Sequence, residues 1–485
     1  MSSIDLLGYN FRVSNLPQMK RVLKVIVSLI ILVLVLAAGN WAPLDRYLNQ
    51  ANQANESGDL SKAALYLAQA AKYSPNPSAL LEQAGINAFK AGDLKTGKEY
   101  LNQVQEAGLL SAAGYILLGD IAQQENNTLS SIQYWEKATN FTRDTEIYMK
   151  LIRAYLQIDD WENAIQAQRD LVTLVPGNSE YNYRLGIMLA ASQPEAALAY
   201  LTLASELSPT LNSDLKSPIR KLRTALNSDE KSYPLVVAGQ ILASFGEWEL
   251  ASRALTNAIA VNPNNSDAWA YLGEALQQIG GDGLPPIEKA LEMDPESIAG
   301  NMLLALYWQR QERYDLALVY LYAASQLDEN NPAIQAEIGN TLGLMGNIAA
   351  AESHYLRATE ISPKDPTYLH TLANYYIRYE IDLRDKGASA ARRAVILAPE
   401  DPEGLDILAQ IYLLLDNPIL ARRFLTRALA VDDKYAPAHL HFGLVSITEN
   451  DPLGAYQHFR AAISYSAPDS PVAQQARRLL ETHFP

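Results

Sequence analysis

Five polar side chains recur at a spacing that could do recognition chemistry: Gln240, Glu274, Asn340, Asn374 and Gln410. Each stands one place after a small residue: Gly239, Gly273, Gly339, Ala373 and Ala409. An amide offers two N–H donors and a carbonyl acceptor, so it can bond a peptide backbone whatever that peptide's sequence. An exposed helix surface tolerates the same residue types, so residue type alone weighs the two readings evenly.

A second cluster is cationic. Lys216, Arg220, Lys221 and Arg223 fall within eight residues of a chain whose net charge is −15. They could dock an acidic partner or lipid headgroups, although charge runs more often form a solvated face. The global charge argues against nucleic acid as a partner, because phosphate binding needs a basic surface.

Catalytic constellations do not stand out, and no cofactor or metal is expected. His439, His441 and His458 are the nearest set of histidines. Two helical positions apart means directions about 200° apart, so His439 and His441 should not share a metal. Gly280-Gly281-Asp282-Gly283 follows no strand pattern and lacks a phosphate-binding lysine, so it reads as a turn. Asp159-Asp160 and Asp432-Asp433 fall between helical patterns, where acids cap helices. The chain has no cysteine, which removes disulfides, thiolate metal sites and cysteine nucleophiles.

What positions these residues is a helical hairpin. Over Pro332–Pro363, Ile338, Gly339 and Leu342 share one side of a first helix. Ala351, Tyr355 and Ala358 share a face of a second, and a Gly346-Asn347 turn joins them. Such a hairpin cannot bury its own apolar face and needs copies on either side. The chain supplies them. Near the end of each second helix stand Ala71, Val104, Ala138, Leu171 and Ala204. After a gap come Ala258, Ala290, Ala324, Ala358, Ala394, Ala428 and Ala462. Most steps are 33 or 34 residues, and the 32 and 36 spacings mark small loop changes. Prolines at 176, 209, 263, 295, 363 and 399 close second helices in the same rhythm.

With these anchors, residues 44–467 resemble the tetratricopeptide repeat family. The W-x2-L-G pattern stands as Trp269, Leu272 and Gly273, and the tail pattern as Ala351, Tyr355, Ala358 and Pro363. Ala251, Leu255, Ala258 and Pro263 repeat that tail. Asn52 and Ile152 depart from the pattern on first helices, as does Leu171 on a second.

The resemblance implies an all-α, right-handed superhelical solenoid of about twelve repeats. Five lie in residues 44–209 and seven in 232–467. An extra joint helix is expected within 210–231, starting at Ser217-Pro218, and a capping helix within 468–485. It also implies that first helices line a concave groove. The facing position would hold Gln53, Ile86, Asp120, Arg153, Ile187, Gln240, Glu274, Leu306, Asn340, Asn374, Gln410 and Leu444. The family's carboxylate clamp needs lysine one turn before the groove asparagine; His370 and Ala336 stand there, so that clamp is not expected.

The N-terminus has a different character. Val25 to Leu44 carries no charge, and Arg12, Lys20, Arg21 and Lys24 precede it against one acid, Asp5. About 20 apolar residues cross a bilayer core, and the positive flank keeps its own side cytoplasmic. Residues 22–43 therefore read as a transmembrane signal anchor, with 1–21 cytoplasmic and the repeats extracytoplasmic. Cleavage near Ala37-Ala38-Gly39, giving a secreted protein, is the alternative. The whole reads as a non-enzymatic scaffold for a protein or extended peptide at a bacterial cell envelope. An accessory subunit of an envelope enzyme, contacting polysaccharide or glycan, is the competing reading.

Overall fold

The computed structural model describes residues 26–27 and 43–484. The span expected at 22–43 thus lies, but for residues 26, 27 and 43, outside the described residues. Among those described, no helix is long and apolar enough to cross a membrane, and every regular element is helical.

Helices follow one another in hairpins. The first pairs are α1 (described over 43–56) with α2 (Leu60–Ala71), α3 (Pro77–Lys90) with α4 (Leu94–Glu106), and α5 (Ala112–Gln124) with α6 (Thr128–Thr139). α7 (Thr145–Gln157) and α8 (Trp161–Leu174) follow, then α9 (Ser179–Ala190), α10 (Pro194–Leu207) and a lone α11 (Pro209–Ala225). Pairing resumes with α12 (Tyr233–Ser244) and α13 (Trp248–Val261), α14 (Ser266–Gln278) and α15 (Leu284–Met293), and α16 (Ile298–Arg310) and α17 (Tyr314–Leu327). The last pairs are α18 (Pro332–Leu344) with α19 (Ile348–Ile361), α20 (Pro366–Tyr379) with α21 (Ala388–Leu397), α22 (Pro402–Leu414) with α23 (Pro418–Val431), and α24 (Ala436–Thr448) with α25 (Pro452–Ser464). α26 (Pro471–His483) ends the chain.

Contacts divide the chain into two units: residues 1–189 with 199–216, and 190–198 with 217–485. Within each unit successive hairpins stack, as α6 packs on α7 and α19 on α20. Successive first helices also touch, in α3–α5, α12–α14, α14–α16, α18–α20, α20–α22 and α22–α24. Successive second helices make no comparable contact among the described residues. First helices are thus drawn together and second helices splayed, which places first helices on the inner side of each unit's curve.

Local chemistry explains the element ends. The caps expected at Asp160, Asn417 and Asp451 form, each side chain accepting from a backbone N–H three residues on. Between the helices of a hairpin the backbone enters the left-handed region, at Gly346 with φ 82° and at Asn450 with φ 58°. Glycine adopts this without a Cβ clash, and a short polar side chain tolerates it better than most.

The 34-residue anchors are the places of closest approach. A Cβ on Gly339 would meet the Ala351 carbonyl oxygen and the Tyr355 ring at 3.2 Å. Gly119 lies against the Trp135 indole, and Gly283 against the Gly273 carbonyl, so the glycine-rich turn at 280–283 is built for packing. Between these anchors, large side chains such as Leu321, Leu425 and Phe459 are fully buried, each contributing about 1.5–3 kcal/mol of hydrophobic gain. The expected loop changes sit where spacing departs from 34. α15 is shortened to ten residues, and a π-helical turn, Leu383–Gly387, precedes α21.

Three expectations are corrected. The joint helix begins at Pro209, not at Pro218, because Ser208 Oγ accepts from Leu211 N and caps it there. Pro218 consequently lies inside α11, where it removes one helical N–H donor. Asn52 is exposed, while Ala51 and Ala54 take the buried places of α1. Ile187 is 1 % exposed and belongs to the core of its hairpin rather than to an open groove.

A candidate binding cavity between α18 and α20

Two first helices of the second unit enclose the site. On α18, Ala333, Ala336, Glu337 and Asn340 fall at i, i+3, i+4 and i+7, one helical face. On α20, Thr367, Thr371, Asn374 and Arg378 fall at i, i+4, i+7 and i+11, another. Together with Tyr355, Tyr368, Tyr375 and Tyr379 they line an open cavity of about 470 Å³. The alanines give it depth, since a larger side chain at 333 or 336 would fill the space.

Its polar groups are only partly committed. Glu337 accepts from Gln309 at 3.3 Å, and Thr371 bonds its own helix at 3.0 Å. Asn374 is exposed, and its side chain makes no hydrogen bond among the described residues. Arg378 reaches Asn340 at 3.5 Å and has no carboxylate within salt-bridge distance among the described residues. Behind them the tyrosines are interlocked: Tyr375 lies 5.2 Å from Tyr355 and 5.4 Å from Tyr379, ring centre to ring centre. Tyr375 Oη donates to the Ile348 carbonyl at 2.9 Å. Burial, seconded by Glu352, pushes its pKa up to about 12, and burial raises Tyr355 as well. These phenols therefore stay protonated and act as neutral hydrogen-bonding walls.

Of the five polar positions singled out in the sequence, the fold brings two together here, Asn340 and Asn374. Glu274 is occupied elsewhere, its carboxylate accepting from both guanidinium nitrogens of Arg310 at 2.6 and 2.8 Å. Gln240 is half-buried beside the Tyr271 hydroxyl. Gln410 is half-buried and lines none of the cavities described here. Arg378 and Thr371 were legible in principle, since the i, i+4, i+7, i+11 spacing of polar residues on α20 is visible in the sequence.

The other candidates separate. Lys216, Arg220, Lys221 and Arg223 are all exposed on α11, and none has a carboxylate partner among the described residues. His439 and His441 face apart as expected, but each finds a partner. His439 Nδ1 lies 3.0 Å from His458 Nδ1, while His439 Nε2 donates to the Asp433 carbonyl at 2.9 Å. His441 Nδ1 is buried 2.7 Å from Asp406. Burial works against its charge and Asp406 outweighs burial, so its pKa is raised. No group of three or more potential metal ligands assembles among the described residues. At the place where a carboxylate clamp would need lysine, His370 is buried 3.3 Å from Asp401.

Family models of the tetratricopeptide repeat match residues 236–280 and 333–365, the second covering α18 and α19. The chain is a tetratricopeptide repeat protein. That fold serves protein–protein interaction, and the all-helical stack seen here agrees with it. A comparison with curated proteins finds no match. Among solved structures, the chain resembles the Cut9–Hcn1 hetero-tetramer of the APC/C at 14% identity, over 91% of this chain and 96% of that one, with a TM-score of 0.39. It also resembles a tetratricopeptide repeat protein of Parabacteroides merdae at 14% identity, over 51% and 97%, with a TM-score of 0.40. A third similarity is to Pseudomonas aeruginosa pilF at 19% identity, over 44% and 97%, with a TM-score of 0.35.

Proposed function

We propose that this tetratricopeptide repeat protein is a non-enzymatic scaffold that holds an extended segment of a protein partner across α18 and α20. The observation that carries the reading is the coincidence, in one open cavity, of the Asn374 amide, unbonded among the described residues, and the Arg378 guanidinium, held by a 3.5 Å contact to Asn340 alone among them. An extended peptide repeats a donor and an acceptor at every residue, and this pair of groups answers both. We propose further that residues 22–43 anchor the chain in a membrane and leave the repeats on its extracytoplasmic side, at a bacterial envelope. The uncharged stretch and its cationic flank support that placement.

The cavity's tyrosines support a second reading, saccharide contact within an envelope assembly, because aromatic faces stack on sugar rings. The two readings separate by experiment. A photo-crosslinking residue at Asn374 in full-length protein should capture a protein partner from native membranes, and Asn340→Ala with Arg378→Ala should abolish the adduct. Retention of purified glycan with no protein adduct would replace the first reading by the second. A C-terminal alkaline phosphatase fusion tests the topology: an inactive fusion would place the repeats in the cytoplasm.

A further inference from the structure

The first unit contains a cavity of its own, between α5 and α7, two consecutive first helices like α18 and α20. It has about 320 Å³ and quite different walls. Phe89 and Trp135 supply apolar and aromatic surface. Asp120 is fully engaged: its carboxylate accepts from Lys150 Nζ at 2.7 and 2.8 Å and from the Trp135 indole at 3.1 Å. That neutralises Lys150 and fixes the indole over the floor.

What remains unanswered is one acceptor and one cation. Gln123 donates its amide to Gln157 at 3.2 Å, but its carbonyl oxygen is buried without a partner among the described residues. A buried orphan acceptor costs free energy until a donor reaches it. Arg153 is exposed at the cavity's edge, and among the described residues its side chain bonds only through Nε to its own helix at Met149, 3.3 Å. No carboxylate lies within salt-bridge distance of it among the described residues. Asp120, Lys150 and Arg153 together leave the lining with one positive charge, within a chain whose net charge is −15. Glu146, 3.5 Å from Lys150, lies outside the lining.

We infer that this cavity is a second recognition site, selecting an acidic residue next to an apolar one in an extended segment of a protein partner. The carboxylate pairs with Arg153, the apolar side chain packs on Phe89 and Trp135, and a peptide N–H satisfies the Gln123 oxygen. The inference rests on the scaffold reading and adds to it a charge preference that the α18–α20 cavity does not carry. A partner's acidic side chain, rather than its chain end, is the occupant because a flexible guanidinium at an open edge can pair a carboxylate anywhere along a passing chain.

The test uses the full-length protein in detergent and a fluorescein-labelled peptide of Ser-Glu-Leu triplets, blocked at both ends, with its Ser-Gln-Leu counterpart. Fluorescence anisotropy should show at least tenfold tighter binding of the Glu peptide. Arg153→Gln should erase that preference, and Asn374→Ala should leave it intact. Equal affinity for the two peptides, no binding of either, or an Arg153→Gln variant that keeps the preference would overturn the inference. A preference lost only on Asn374→Ala would assign the acidic selectivity to the α18–α20 cavity and likewise overturn it. Loss of the Asn374 crosslink with the Glu preference retained would count against the scaffold's α18–α20 reading alone.

Discussion

The guanidinium of Arg378 on α20 lies 3.5 Å from the side-chain oxygen of Asn340 on α18. That separation is the outer limit of a hydrogen bond, so the pair spans the cavity without closing it. An incoming peptide carbonyl can take the guanidinium at little cost, and the released amide can then bond the same ligand. The two residues stand on consecutive first helices, so a ligand that engages both is held across two repeats.

Asn340→Ala and Asn374→Ala should each weaken partner capture by several-fold, since one hydrogen bond contributes about 1 kcal/mol net. Combined with Arg378→Ala the loss should exceed the sum of the singles if the groups grip one segment. Asn374 and Arg378 are exposed, so the thermal midpoint should not move. Crosslinking yield and circular dichroism on the same preparations check both halves.

Gly339 and Gly346 are both glycines of one hairpin, and they should respond to substitution for different reasons. Gly339 has backbone and ring atoms at 3.2 Å from any Cβ, so Gly339→Val should cost about 1–3 kcal/mol through overpacking. Gly346 has open space but φ 82°, so Gly346→Ala should cost about 1 kcal/mol through backbone strain. Gly346→Asn should recover much of that, as Asn450 occupies the equivalent turn. Urea midpoints order the three.

The repeat was legible because its signals are local and periodic. A cap such as Asn417 and a small anchor such as Ala358 act within a turn or a hairpin, so their spacing carries the whole message. α11 was misplaced because Ser208-Pro209 and Ser217-Pro218 are the same start signal nine residues apart. Pro209 also fitted the rhythm of prolines that close second helices. Glu274 looked free because its partner, Arg310, is 36 residues away at the end of a flexible side chain. Only the packing of α14 against α16 brings the two together. His439 and His458 met for the same reason, across a hairpin rather than along a helix.

Two histidines of the last repeats should make stability depend on pH in opposite senses. His441 has its folded pKa raised above the unfolded value. Its contribution is complete below about 6.5 and is lost as pH rises through the folded pKa. His458 is depressed to about 4 by burial, then by His439 and Arg422. Between about 6.5 and 4 the unfolded chain binds a proton that the folded chain refuses, so stability falls as pH falls. Asp406→Asn should remove the alkaline loss. His458→Phe, which can keep the stack on Phe442, should flatten the slope from pH 6.5 to 5. Urea midpoints from pH 5 to 6.5 decide the His458 prediction, and midpoints above pH 6.5 decide that for His441 and Asp406.

α26 should act as the lid of the last hairpin. Ser470 Oγ caps it by accepting from Ala473 N at 3.2 Å. Ala473 and Ala476 are fully buried, Ala476 in the cluster that holds Leu440, Phe459 and Ala462. Gln474, Gln475 and Arg478 stay exposed, so the helix turns a polar face outward where another repeat would otherwise have to continue the stack. Ala476→Arg would force a charge into that cluster and should undock α26, costing about 2 kcal/mol or more. Dye binding to the uncovered face of α25 should rise and the protein should self-associate in a concentration-dependent way. Gln475→Arg, one residue away and exposed, should do neither. If both variants behave alike, α26 does not seal the stack.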